Sequence, residues 1–286
     1  MGEVLGRAVS GTEAVSREQW PERLKNGLDA LNIRYDPATP ERLARYHQLL
    51  TEWNQVMNLT GDTDFETSLG RHYLDSLAPL GIEGLFPESA SLIDVGTGAG
   101  FPGLPLAIAR PDLDVVLMDS LQKRLNFLDA VVKELGLSNV RLCHARAEDG
   151  GRDPRWREQF DLAVARGVAA LPVLAELLLP FVKVGGKAVC YKGPAASEEW
   201  DAGQRAARLL GGGKLERTPI VLPGQEGWEH CVIALPKKEK TVRQYPRKAG
   251  TPGREPLGQT GGKSKEAGKP EPLHGRRSRL KGAAVE

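Results

Sequence analysis

A chain of 286 residues can bury the core of one large α/β domain with appendages, and its net charge of +2 averages two unlike parts. Residues 237–286 hold 14 Lys+Arg against 5 Asp+Glu, leaving 25 basic and 32 acidic residues in the first 236; a basic tail on an acidic body suits a nucleic-acid partner, a solubilising tail being the plainer alternative. Three widely spaced cysteines (Cys143, Cys190, Cys231) without a CxxC pair exclude a disulfide framework and a zinc site, and neither a signal h-region nor a membrane span is present, so a cytoplasmic protein is expected.

In chain order, residues 1–20 read as a flexible N-terminus. The spacing predicts helices over 21–33, 39–60 and 64–80, together a helical cap over 21–85. In the second, Thr39 is the expected N-cap with Pro40 at the first helical position. Leu43, Tyr46, Leu50, Trp53 and Met57 share one face, which makes Trp53 a core residue rather than a platform for stacking a base. From residue 91 short apolar runs alternate with helical ones. Strands are expected at 91–95, 113–118, 139–143, 160–165, 186–191, 214–222 and 230–235, with helices at 103–110, 121–136, 171–182 and 195–210. This alternation means parallel strands with right-handed crossovers, a doubly wound sheet over 86–236. The last two strands leave no room for a helix between them and read as an antiparallel hairpin. Beyond 236 the apolar content collapses, and the tail over 237–286 is expected to be largely disordered.

The informative loop is "LIDVGTGAGFPGLPL" at 92–106. Gly98, Gly100 and Gly103 satisfy G-x-G-x-x-G, and Asp119 follows about 20 residues later, as a dinucleotide site requires. Asp94 argues against a dinucleotide. A carboxylate at the loop entry repels a pyrophosphate, but it favours the ammonium and sulfonium of S-adenosylmethionine. D-x-G-x-G-x-G (Asp94, Gly96, Gly98, Gly100) therefore favours the cationic ligand. Asp119 would accept hydrogen bonds from ribose hydroxyls in either case. Glu148, with the Ala147 backbone in "ARAED", is placed to meet an adenine edge, unless it merely opens a surface turn.

Several segments resemble the bacterial small-subunit ribosomal RNA guanine-N7 methyltransferases, also called glucose-inhibited division protein B. They are "WNQVMNLT" (53–60), "RHYLDSL" (71–77), "IDVGTGAGFPGLPLAI" (93–108), "LMDSLQKRLNFL" (117–128), "VARGVAAL" (164–171), "YKG" (191–193) and "EHCVIAL" (229–235). "YPRKAGTP" (245–252) is similar to the family's basic C-terminal motif, and Ala99 stands where some members have proline. The resemblance implies a class I S-adenosylmethionine-dependent methyltransferase, with a Rossmann-like seven-stranded sheet behind an N-terminal helical extension. It implies a guanosine in the 530 loop of 16S ribosomal RNA as acceptor, in the RNA or the small ribosomal subunit; separately, the protein is expected to be a monomer. Gly96, Phe101, Ala147, Glu148 and Arg166 align with the family's cofactor-contacting positions.

Guanine N7 carries a lone pair in the neutral base, so no general base and no metal are expected. Arg166, ending the fourth strand, is expected to position the cofactor's carboxylate or the RNA, since a guanidinium suits planar anions. Arg71, His72, Lys192, Arg247 and Lys248 are the RNA-binding candidates. His72 could be read as a base, but N7 chemistry needs none. Three alternatives stand beside this reading: a methyltransferase of another macromolecule, a non-catalytic S-adenosylmethionine-binding regulatory protein, and, more distantly, an NAD-dependent oxidoreductase.

Overall fold

The structure, a computed structural model, describes residues 16–61, 63–225 and 227–259. Seven strands form one sheet in the order β3-β2-β1-β4-β5-β7-β6. They are β1 (Ser91–Val95), β2 (Asp114–Asp119), β3 (Val140–His144), β4 (Phe160–Arg166), β5 (Val182–Lys192), β6 (Glu216–Pro219) and β7 (Cys231–Pro236). The first five are parallel, and β7 runs antiparallel to both β5 and β6. The hairpin expected at the edge is present, although β6 is shorter than its apolar run.

Both faces of the sheet are covered, and successive residues of each strand feed different cores. Leu92, Val115, Leu117, Leu162 and Val164 join the core beneath the N-terminal helices. Ile93, Val116, Met118, Ala163 and Ala165 join the opposite core. That is why β1, β2 and β4 read as continuous apolar runs rather than alternating ones. Cys143, Cys190 and Cys231 are buried and unpaired. Strand order reverses between β1 and β4, and the crevice beyond their carboxyl ends is where such sheets hold ligands.

The helices in chain order are α1 (Trp20–Ala30), α2 (Thr39–Asn54), α3 (Phe65–Ser68), α4 (Asp75–Leu77), α5 (Gly103–Ala109), α6 (Gln122–Glu134), α7 (Ala147–Gly150), α8 (Leu171–Leu178), α9 (Trp200–Leu209) and α10 (Thr251–Arg254). Three local expectations need correction. Thr39 is inside α2 and does not cap it: Ala38 holds that place, and the Asp36 carboxylate accepts the Ala38 N–H at 2.9 Å. α2 ends at Asn54, six residues early, because the Asn54 side chain accepts the Leu59 and Thr60 N–H groups and turns the chain. The expected helix 64–80 is broken by a six-residue π turn, Leu69–Leu74, between α3 and α4. Its loosened carbonyls have a partner, since Arg166 Nη1 donates to Arg71 O at 2.9 Å. Such π turns concentrate at functional sites.

The tail boundary is also corrected. Residues 237–259 are folded against the sheet domain; 260–286, like 1–15, lie outside the described residues. Few apolar groups hold this segment. Arg157 donates to Thr241 O and Tyr245 O, and Arg152 donates to Pro246 O. Arg247 pairs with Glu176, which is fully buried on α8. Lys237 is itself buried and donates to Leu179 O and to Thr241 Oγ1; burial lowers its ammonium to about 8. Hydropathy misses a segment held by guanidinium and ammonium groups on backbone carbonyls.

Candidate functional site

Beyond the ends of β1, β2 and β4 opens a cavity of about 660 Å³, within the size range of cofactor sites. Gly96, Gly98, Phe101, Asp119, Ala147, Glu148, Arg166 and His72 are on its wall; Asp94 and Gly100 are not. Their place is behind it. Gly100 has φ +110°, and a Cβ there would lie 2.8 Å from the Tyr46 hydroxyl, which donates to Ala99 O. A Cβ on Gly103 would meet the Asp94 side chain at 2.7 Å. The glycines thus let β1, the loop and α5 close tightly enough for backbone to form the cavity wall.

Asp94 is fully buried. Its Oδ2 accepts from Thr97 Oγ1 at 2.7 Å and from the Gly103 N–H at 2.8 Å, whereas Oδ1 has no partner. Burial pushes the carboxyl up to about 6. An orphaned carboxylate oxygen one layer behind the wall fits a cation in the cavity and disfavours a pyrophosphate. Asp119 is on the wall, where it accepts the Gly98 and Leu121 N–H groups at 3.0 and 2.9 Å and pairs with Arg124 at 3.2 Å. These bonds fix the orientation of its carboxylate at the tip of β2. The residues present therefore fit S-adenosylmethionine: a buried negative centre behind the loop, an acceptor for ribose hydroxyls, and Ala147 with Glu148 at the far end.

Glu148 brings in a segment that sequence reasoning did not connect. Its Oε1 accepts the Gly250 N–H at 2.7 Å, so the "YPRKAGTP" motif folds back onto the cavity rim. Gly250 has φ +78° at the start of α10, a conformation that glycine adopts without strain.

Arg166 is held from several directions. It bonds Asp75 Oδ2 at 3.1 Å and Ser76 Oγ at 3.3 Å, and its guanidinium lies 5.0 Å from the centroid of the Phe101 ring. His72 stacks on the same ring, with centroids 4.8 Å apart. Asp75 is 1% exposed, and its other oxygen faces His230 Nδ1 at 3.0 Å and Trp228 Nε1 at 3.3 Å. Trp228 and His230 were not singled out in the sequence; the only signal was a polar-aromatic "EGWEH" just before a buried strand.

The RNA-binding candidates separate. Arg71 and Lys248 are exposed, while His72 is half-buried on the cofactor cavity. Lys192 is instead on a second, smaller cavity, paired with Glu199 at 2.7 Å. Arg247 is committed to Glu176 through a bidentate pair, which removes it from the RNA-facing set. Among the described residues no group of three or more His, Cys, Asp or Glu is arranged to hold a metal, and no helix is long and apolar enough to cross a membrane.

Residues 39–222 match the family model described as rRNA small subunit methyltransferase G. The Alkaliphilus metalliredigens protein named ribosomal RNA small subunit methyltransferase G is 45% identical over 234 residues, covering 82% of this chain and 97% of that protein. Its namesake from Lactobacillus delbrueckii subsp. bulgaricus is 44% identical over 238 residues, covering 83% and 99%. Among solved structures, a predicted O-methyltransferase from Agrobacterium tumefaciens superposes with a TM-score of 0.45 at 19% identity, covering 59% of this chain and 81% of that one. The chain belongs to the rRNA small subunit methyltransferase G family and carries the class I S-adenosylmethionine-dependent methyltransferase fold.

Proposed function

We propose that this protein methylates N7 of a guanosine in the 530 loop of 16S ribosomal RNA, with S-adenosylmethionine as donor. The carrying observation is the buried, half-partnered Asp94 behind a glycine wall, in a chain that spans nearly the whole length of relatives named for small-subunit ribosomal RNA. Bound in the larger cavity, S-adenosylmethionine supplies an electrophilic methyl group on a cationic sulfur. Gly96 and Gly98 admit it against the backbone, Asp119 accepts hydrogen bonds from its ribose hydroxyls, and Ala147 with Glu148 meets its adenine. Arg166, braced on Phe101 and Asp75, fixes an anionic group at the mouth. No side chain is needed to remove a proton, because N7 reacts through its lone pair. Positioning accordingly carries the acceleration, for which well-oriented reactants gain about 7–11 kcal/mol.

The exposed Arg71 and Lys248 contact RNA phosphate, which gives affinity without base choice. The helical cap over 21–85 completes the cavity through His72, and the methyltransferase domain over 86–236 is closed by the segment after it. The protein works as a cytoplasmic monomer on 16S RNA or the small subunit. The test is transfer of labelled methyl to small-subunit RNA from cells lacking the gene, mapped by borohydride and aniline cleavage. A single cut in the 530 loop is expected. Label without a cut moves the acceptor atom, and tight cofactor binding with no label on RNA or particles overturns the enzyme assignment in favour of a regulatory binder.

A further inference from the structure

Beside the cofactor cavity is a second one of about 190 Å³, over the ends of β4 and β5, lined by Asp75, Arg166, Tyr191, Lys192, Ile220 and His230 among others. It is smaller than the roughly 300–1,000 Å³ of pockets for whole ligands, a size suited to one ring system. Arg166 and Gly167 line both cavities, so the two share a wall. We propose that this second cavity receives the guanine base, turned out of the RNA, and that Asp75 reads its Watson–Crick edge. The proposal rests on the guanosine reading above.

The chemistry of the walls carries the choice of base. Asp75 is a buried carboxylate, and its bonds to Arg166, His230 and Trp228 occupy three of about four acceptor positions. The remaining position and, on release of the long Trp228 bond at 3.3 Å, that one too are open to two adjacent base donors. Guanine presents two adjacent donors, N1–H and the exocyclic amine. Adenine presents the acceptor N1 at the same edge, and two acceptors facing each other in a buried site cost binding. Lys192 uses two of its three donors, on Glu199 and on Ala169 O at 3.2 Å, and the third is available to guanine O6. Tyr191 and Ile220 provide flat and aliphatic walls, and Tyr191 is fixed by donating to Ser76 O at 2.9 Å. Enzymes acting on turned-out bases use this combination of polar edge and apolar wall.

Asp75 also acts on the rate. As N7 forms its bond to the methyl carbon, the carbon–sulfur bond breaks and its electron pair stays on sulfur. The base is left with the positive charge. That charge makes N1–H a stronger donor, so its bond to Asp75 strengthens on the way to the transition state, where it raises the rate and not only affinity. Asp75 is thus a specificity-determining residue that also favours the cationic product.

The experiment uses small subunits reconstituted with guanosine or inosine at the target position. Inosine lacks the exocyclic amine. Wild-type protein is expected to lose about 10- to 100-fold in kcat on inosine. Asp75→Asn is expected to lose a similar factor on guanosine and little more on inosine, with S-adenosylmethionine affinity by calorimetry within about threefold of wild type. Additive losses from base and variant overturn the pocket. Should Asp75→Asn unfold, Ala169→Phe, which fills the cavity, is expected to abolish transfer and retain cofactor binding; full transfer by that variant overturns the proposal. Saturation-transfer NMR with free guanosine and adenosine gives a readout without turnover, and equal signals from both again overturn it. A wild-type protein giving no N7 cut overturns the guanosine reading and the pocket with it, whereas a wild-type cut with unaffected variants overturns the pocket alone.

Discussion

The glycine loop walls the cofactor cavity and the segment 237–258 touches its rim through Glu148, and the two are held by opposite means. In the loop, bulk is removed: Gly103 approaches Asp94 so closely that no Cβ fits, and backbone makes the wall. The later segment is held by charge, with Arg247, Arg157 and Arg152 reaching carboxylate or carbonyl oxygens and Glu148 receiving Gly250 in return. The first device leaves a residue pattern within a dozen positions. The second joins residues 71 to 102 apart and leaves only a basic composition, which reads equally as a disordered tail.

The sharpest way to break this comparison is Arg247→Ala. It leaves the buried Glu176 carboxylate with the residue-247 backbone N–H in place of a guanidinium, and removing one partner of such a pair costs about 3 kcal/mol at the lower end of its range. Urea unfolding should show that loss. Stability unchanged within about 0.5 kcal/mol would mean the segment is an ornament. Gly103→Ala tests the loop, where overpacking against Asp94 and Leu117 costs about 2 kcal/mol; donor affinity measured by calorimetry should fall with it, and an unaffected variant would deny the steric account.

Lys237 sharpens the contrast through pH. Its folded value of about 8 is below the ordinary 10.5, so between those values the unfolded chain binds more protons and stability rises with pH. The contribution is on the order of 1 kcal/mol, read from pH 8 to 10 as the change in the Tm difference between wild type and Lys237→Met, because the buried Cys143 and Cys190 thiols, pushed up by burial, pull the other way equally in both. A difference that stays constant over that window would deny it. Asp94 works the other way round. Held up at about 6 by burial, it is drawn down by a cation in the cavity, so donor affinity should climb from pH 5 to 7 by up to about tenfold, and Asp94→Asn should remove the slope. The smallest effect belongs to Lys248→Ala: the salt slope of RNA binding should fall by about 0.7 for one lost phosphate contact, with no change in folding stability beyond about 0.5 kcal/mol.

What could be read from the sequence follows from range. The five parallel strands lie at or within a few residues of their apolar runs, because buried parallel strands need continuous Val, Ile and Leu. The cofactor wall was legible for the same reason, since Asp94, Gly96 and Gly98 are neighbours in the chain and Asp119 ends the adjacent strand. Asp75, Arg166 and His230 were not legible as a unit, being 91 and 155 residues from one another along the chain. Only the packing of the π turn against β4 and β7 brings them together. The early end of α2 was hidden as well, because one amide side chain, Asn54, overrode an apolar period that continued to Met57.

The bond from Gly250 to Glu148 spans 102 residues and points back toward the start of the chain. A protein made from its N-terminus outward therefore completes its whole sheet, through β7, before Gly250, the donor to Glu148 on the cavity rim, has been synthesised. A product cut short after β7 would keep every strand of the sheet and lose the bond that holds the Glu148 carboxylate in place.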